Sequence, residues 1–164
     1  MFLNANNDYG EMTLEQISIL KGILNDLKVD SRIPLSVWYD KIQLLKIRDL
    51  SNGDIAKLIR QEIFLSHVVP EAINRTLINP LSGSLGDGEI LESFSYVGVD
   101  MWENEGEKFC NELKSYLQKV LLNLKDHTLN IPYDNQRFDD HDREDLGENL
   151  MKTISILDNA INKV

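Results

Sequence analysis

The stretch Ile55–Leu91, IAKLIRQEIFLSHVVPEAINRTLINPLSGSLGDGEIL, decides how this chain folds. Ile55, Leu58, Ile59, Ile63 and Phe64 recur as a buried helical stripe, and Ser51 followed by Asp54 supplies the start signal, a capping box with a shorter acid. The pattern breaks at Val69-Pro70, resumes, and stops at Asn79-Pro80. Pro70 fits the first position of a new helix, where its missing N–H is not needed. Residues 80–88 form a loop with Gly83, Gly86 and Gly88, which are turn residues. A short helix follows, from about Gly88 to Tyr96. Helix, break, helix, loop, helix is the grammar of an all-α protein.

The flanks extend the same grammar. Thr13 with Gln16 has capping-box spacing, and Leu14, Ile17, Leu20, Ile23, Leu24 and Leu27 then fall on one face. Asp30-Ser31-Arg32-Ile33-Pro34 breaks that helix. Ser36 is placed as the cap of a short helix to about Leu45, with Trp38, Ile42 and Leu45 turned inward. Asp100 is placed as the cap of the longest helix, from about Met101 to Lys125, with Trp102, Phe109, Leu113, Tyr116, Leu117, Val120, Leu121 and Leu124 on its apolar face. Asn104-Glu105-Gly106 weakens its first turns. A polar loop with Pro132 leads to a last helix, from about Asp142 to Asn162, carrying Leu146, Leu150, Ile154, Leu157 and Ile161. Val68-Val69 and Tyr96-Val97 are too short to build a sheet. The expected architecture is a compact bundle of six or seven helices in one domain, residues 1–164.

Composition bounds the function. At 164 residues, 42% hydrophobic and 27% charged, the chain is an ordinary globular one. A domain of this size buries roughly 70% of its unfolded surface and needs no covalent staples. The single cysteine, Cys110, has no internal disulfide partner, which favours a reducing compartment. The start MFLNANNDYGEM lacks a basic region followed by an apolar core, and no apolar run approaches the roughly 18 residues that span a bilayer. These features predict a cytoplasmic protein that binds no membrane. The net charge of −10 argues against nucleic acid as a ligand and suits a basic partner or plain solubility. Half of that imbalance sits between Asp134 and Glu148, where seven acids (Asp134, Asp139, Asp140, Asp142, Glu144, Asp145, Glu148) face two arginines (Arg137, Arg143).

Templates for chemistry fail at required positions. The glycine loop has neither the Walker ending Gly-Lys-Ser/Thr nor the strand that precedes a dinucleotide fingerprint. An EF-hand begun at Asp140 would need glycine at Asp145 and glutamate at Met151. His67, His127 and His141 are too widely spaced for a zinc site. Cys110 sits beside Phe109 near an apolar face and reads as a small core residue. Gly83-Ser84-Leu85-Gly86 is one residue short of a nucleophile elbow. Glu89 and Glu92 read as a cap and a surface acid. No catalytic residue, cofactor or metal is assigned.

Arg60 and Gln61 flank the buried stripe, so at least one must be accommodated near the core. A buried arginine needs a carboxylate, and Asp87 and Glu89 supply one if the glycine loop folds back. Arg60 and Gln61 would then belong to the scaffold with Pro70, Asn79, Pro80, Gly83, Asp87, Gly88 and Glu89. The opposing possibility is that Arg60, Asp87 and Glu89 form the site of a small helical enzyme or ligand-binding regulator.

The order Arg60-Gln61, Pro70, Asn79-Pro80-Leu81-x-Gly83 and Asp87-Gly88-Glu89-x-Leu91 resembles the immunity proteins of bacterial contact-dependent growth inhibition systems. Where that pattern often carries Gly-Glu-Leu-Tyr, this chain reads Gly83-Ser84-Leu85-Gly86. The resemblance implies a cytoplasmic protein that neutralises a toxin domain by forming a complex, not by catalysis. It implies one protein partner, a cognate toxin that is frequently a basic nuclease acting on transfer RNA, bound one to one. For such a partner the acidic stretch is the expected contact: Asp134, Asp139, Asp140, Asp142, Glu144 and Asp145, with Tyr133 and Phe138 as aromatic anchors among them. A solvated loop is the competing reading of the same acids.

Overall fold

The computed structural model describes residues 8–23, 30–131 and 137–163 of the chain. Its ordered elements are helical: α1 (Leu14–Leu20), α2 (Pro34–Ile42), α3 (Asn52–Arg60), α4 (Leu65–Ile78), α5 (Glu89–Ser93), α6 (Val99–Glu105), α7 (Glu107–Lys125) and α8 (Asp140–Asn162). Short 3-10 turns lie at Asp8–Glu11, Ile47–Asp49 and Phe94–Tyr96. Among the described residues no strand forms, and one isolated antiparallel bridge pairs Thr13 with Lys46.

The all-α reading holds, but among the described residues the helix count is eight, because the predicted 101–125 helix is two helices. Gly106 divides them at φ +91°, ψ 156°, a conformation glycine adopts without a Cβ penalty. Gly98, not Asp100, caps the first piece. The longest helix is then α8, of 23 residues.

Two prolines also differ from the reading. Pro34 occupies the first position of α2, so this helix starts there and Ser36 does not cap it; the Ser36 hydroxyl instead accepts the Asp30 N–H at 3.2 Å. Pro70 begins nothing. It is the sixth residue of α4, buried inside a continuous helix. The real break comes earlier, at Gln61–Phe64, where Glu62 and Phe64 take positive φ values of 57° and 51°. A helical interior proline costs about 3 kcal/mol, and its burial offsets part of that.

Three capping boxes start helices, Thr13 with Gln16, Ser51 with Asp54, and Asp139 with Asp142. α1 is short: Leu14 and Ile17 are buried, whereas Leu20 is 73% exposed, and Leu24 and Leu27 lie outside the described residues. Likewise Ile42 is buried and Leu45 is exposed.

α7 and α8 form the largest helix pair. Cys110, Leu113, Leu117, Val120 and Leu124 are buried on one, and Leu146, Leu150, Thr153, Leu157 and Ala160 on the other. Alternating spacings of three and four keep each stripe on one face. The helices run antiparallel, since Gly147 faces Leu121 and Leu124 while Lys114 pairs with Asp158. α3 packs on α4 and α5, and α5 and α6 pack on α8, so one buried cluster links all of them. Cys110 belongs to it, its Sγ donating to the Trp102 carbonyl at 3.1 Å.

Candidate functional site

The glycine loop between α4 and α5 is built by its own polar groups. The Asn79 side-chain oxygen accepts the Leu81 N–H at 3.0 Å, and the Ser82 hydroxyl donates to the Asn79 carbonyl at 2.7 Å. Gly88 N–H closes the loop on the Leu81 carbonyl at 3.0 Å. Gly83 is required by space: a Cβ there would run into the Gly86 carbonyl oxygen and lie 2.9 Å from the Glu89 Cβ. Gly88 is required by backbone, at φ +77°, and a Cβ on it would press on Leu146 of α8 at 3.3 Å.

Glu89 ties the loop down. One carboxylate oxygen accepts the Ser84 and Leu85 N–H groups at 2.8 and 3.1 Å, and the other accepts from the Arg60 guanidinium at 3.0 Å. Burial pushes the Glu89 carboxyl up, but the Ser84 and Leu85 donors and Arg60 together outweigh it and hold the group below its usual range. The Glu89 side chain is 6% exposed and the Arg60 side chain 27%. Ser84 returns to α3, its hydroxyl accepting the Gly53 N–H at 2.8 Å. Pro80 is buried and Asn79 half-buried beside this network. Asp87 is not the partner of Arg60 and stands exposed on the loop, and Gln61 is also exposed, at the C-terminal end of α3. Arg60 meets the loop through a single carboxylate contact.

Arg75 was not singled out from the sequence, and it has a larger structural role. Its Nε donates to Glu71 at 2.8 Å, and its other nitrogens donate to the carbonyls of Ile47, Arg48 and Leu50 and to Asn52 Oδ1. One guanidinium thus fixes the Ile47–Asp49 turn on α4. A second cluster also escaped notice: Trp38 Nε1 donates to Asp54 at 2.8 Å while the Lys57 ammonium sits 4.2 Å from the Trp38 ring centre.

The acidic stretch divides. Tyr133 and Asp134 lie outside the described residues. Asp139 caps α8, accepting the His141 and Asp142 N–H groups at 2.8 and 3.0 Å, and Asp142 returns the contact to the Asp139 N–H. Asp139, Asp140, Asp142, Glu144, Asp145 and Glu148 are all exposed. Phe138 is half-buried against the core with the Arg143 guanidinium 5.5 Å from its ring centre, so its ring is already engaged within the fold. Among the described residues no group of three or more His, Cys, Asp or Glu could hold a metal ion, and no helix is long and apolar enough to cross a membrane.

Fold and loop together define an all-α protein in which Arg60, Asn79 and Glu89 make their polar contacts within the chain, while Gln61 and Asp87 stand exposed. The family model for CDI (contact-dependent growth inhibition) immunity proteins matches residues 25–111, just over half of the chain, and the chain belongs to that family. The matched part spans α2 to the start of α7 and includes the whole Arg60–Glu89 network, while α8 lies outside it. No curated protein matches the chain.

Proposed function

We propose that this protein is the cytoplasmic inhibitor of one CDI toxin domain, which it neutralises by one-to-one complex formation and not by catalysis. In this reading the toxin is a basic nuclease of the kind that acts on transfer RNA, and the first turns of α8 meet it. The observation that carries the reading is the exposed acidic face. Asp140, Glu144 and Glu148 recur every four residues along α8, with Asp142 and Asp145 beside them, and the buried stripe begins only at Leu146. Such a face can attract a cationic partner and orient it while disturbing nothing in the core. Asp139 and Phe138 would then border the contact, holding the helix start in place.

Co-expression with the cognate CDI toxin domain, sought in an adhesin gene next to this one, followed by co-purification, tests the complex. A charge reversal tests the face. Asp139 and Asp142 cap α8, so the suitable variant changes Asp140, Glu144 and Asp145 to lysine. Association with the toxin domain should slow and lose much of its salt dependence, because such charges act mainly through the on-rate. Association unchanged at low salt, in a folded variant, would place the contact elsewhere.

A further inference from the structure

A groove lies between the end of α1, α2 and the Gln61–Phe64 turn, with a volume of about 620 Å³. That is within the size range of sites that enclose bulky groups. Ile33, Leu35, Tyr39, Ile63, Phe64 and Met101 give it apolar walls. Ile33 is 51% exposed and Leu35 37%. Large aliphatic side chains gathered in the open, with a polar rim, mark contact surfaces.

The rim has an excess of one sign. Among the described residues that line the groove, Asp40, Glu62 and Glu105 are set against one cation, Lys21. Lys21 is drawn onto the Phe64 ring, 5.8 Å from its centre, and Glu62 accepts the Gly98 N–H at 2.8 Å. Asp40 accepts only a local contact from Gln43, at 2.9 Å, and is exposed. The floor is strained, since two of its residues, Glu62 and Phe64, have left-handed backbone at φ 57° and 51°. Each such residue costs roughly 1–2 kcal/mol, and strain of this kind persists where the surroundings hold it. Most of the wall falls within residues 25–111, the part matched to CDI immunity proteins.

We propose that this groove is a second contact for the toxin domain, taking one large apolar or aromatic side chain flanked by lysine or arginine. The inference rests on the reading that the chain binds a CDI toxin. The apolar side chain is desolvated between α2 and Phe64, and the neighbouring cation pairs with Asp40 or Glu105 at the rim. A second copy of this chain is the poorer occupant, because a net charge of −10 would be brought against an acidic rim.

The test is calorimetric titration of a catalytically inactive form of the cognate CDI toxin domain into Leu35→Lys and Ile33→Lys. Each variant should weaken binding by about tenfold or more, the share of one well-packed anchor, with its thermal midpoint unchanged. A Kd within about twofold of the parent overturns the groove and leaves toxin binding standing, since a packed anchor is worth more than that. If the parent protein itself fails to bind, both the underlying reading and this inference fall. Hydrogen exchange on the unsubstituted protein gives an answer that does not depend on how the variants fold. The amides of α2 that follow Pro34 should slow in the complex. Unchanged exchange there, with protection elsewhere, overturns the proposal.

Discussion

Arg60→Met removes one side of the contact that anchors the glycine loop. Breaking a buried ion pair by deleting one partner costs about 3–5 kcal/mol, because the remaining charge is stranded. Glu89 is nearly buried, so part of that cost applies. It keeps two backbone donors, Ser84 and Leu85, and Arg60 is itself 27% exposed, so the stranding is incomplete. The expected loss is about 2 kcal/mol, below the full buried-pair figure. For a chain of this size that lowers the thermal midpoint by roughly 5–8 °C. The pH dependence gives a second check. Glu89 is held below its reference value of 4.5 in the folded protein. It therefore adds stability that is fully present above the unfolded value and is lost as pH falls through the lower folded one. Removing Arg60 removes one cause of that lowering, so the gap between parent and variant should be flat near neutrality and close below about pH 4.5. Urea melts across that range measure it. A variant as stable as the parent at neutral pH, or a gap that persists unchanged into acid, would refute the anchoring argument.

Gly83→Ala should cost about 1–3 kcal/mol in a urea melt, since the new methyl meets the Gly86 carbonyl and Glu89. Arg75→Met should cost about 3 kcal/mol or more, because several hydrogen bonds to turn carbonyls and to Asn52 go at once; a thermal melt close to the parent's would remove Arg75 from the scaffold. Asp139→Ala should lose about 1 kcal/mol through the cap of α8, and amide exchange in the first turn of that helix should quicken.

The helical class was legible because it is written locally. Thr13 with Gln16 and Ser51 with Asp54 announce helix starts within four residues, and the stripes of α7 and α8 repeat every three or four. Glu89 was foreseen as a partner for Arg60 from the need to pair a half-buried cation, but the same argument admitted Asp87, and only the folded loop chooses between them. Pro70 misled because its penalty is local while its compensation is tertiary: the ring is buried by the rest of the fold. The break at Glu62 and Phe64 has no turn residue to mark it, since neither is glycine or asparagine. Arg75 was hidden for a related reason, as its carbonyl partners lie more than twenty residues away. Gly106 was visible as a weak point, yet a lone glycine does not say whether a helix bends or ends.

The close approach of Leu146 to Gly88 has a consequence for how this protein can change. Leu146 of α8 stands close enough that a Cβ on Gly88 would lie 3.3 Å from it, so the helix outside the family-matched span is keyed to the loop inside it. That key occupies one side of α8, and the carboxylates occupy the other. Substitutions on separated faces with no shared partners add nearly independently. Charge along the outer face of α8 can therefore be rewritten, residue by residue, at little cost to the fold, provided Asp139, Asp142 and Leu146 stay in place. The contact that holds the fold and the charge that faces outward are carried by opposite sides of a single helix.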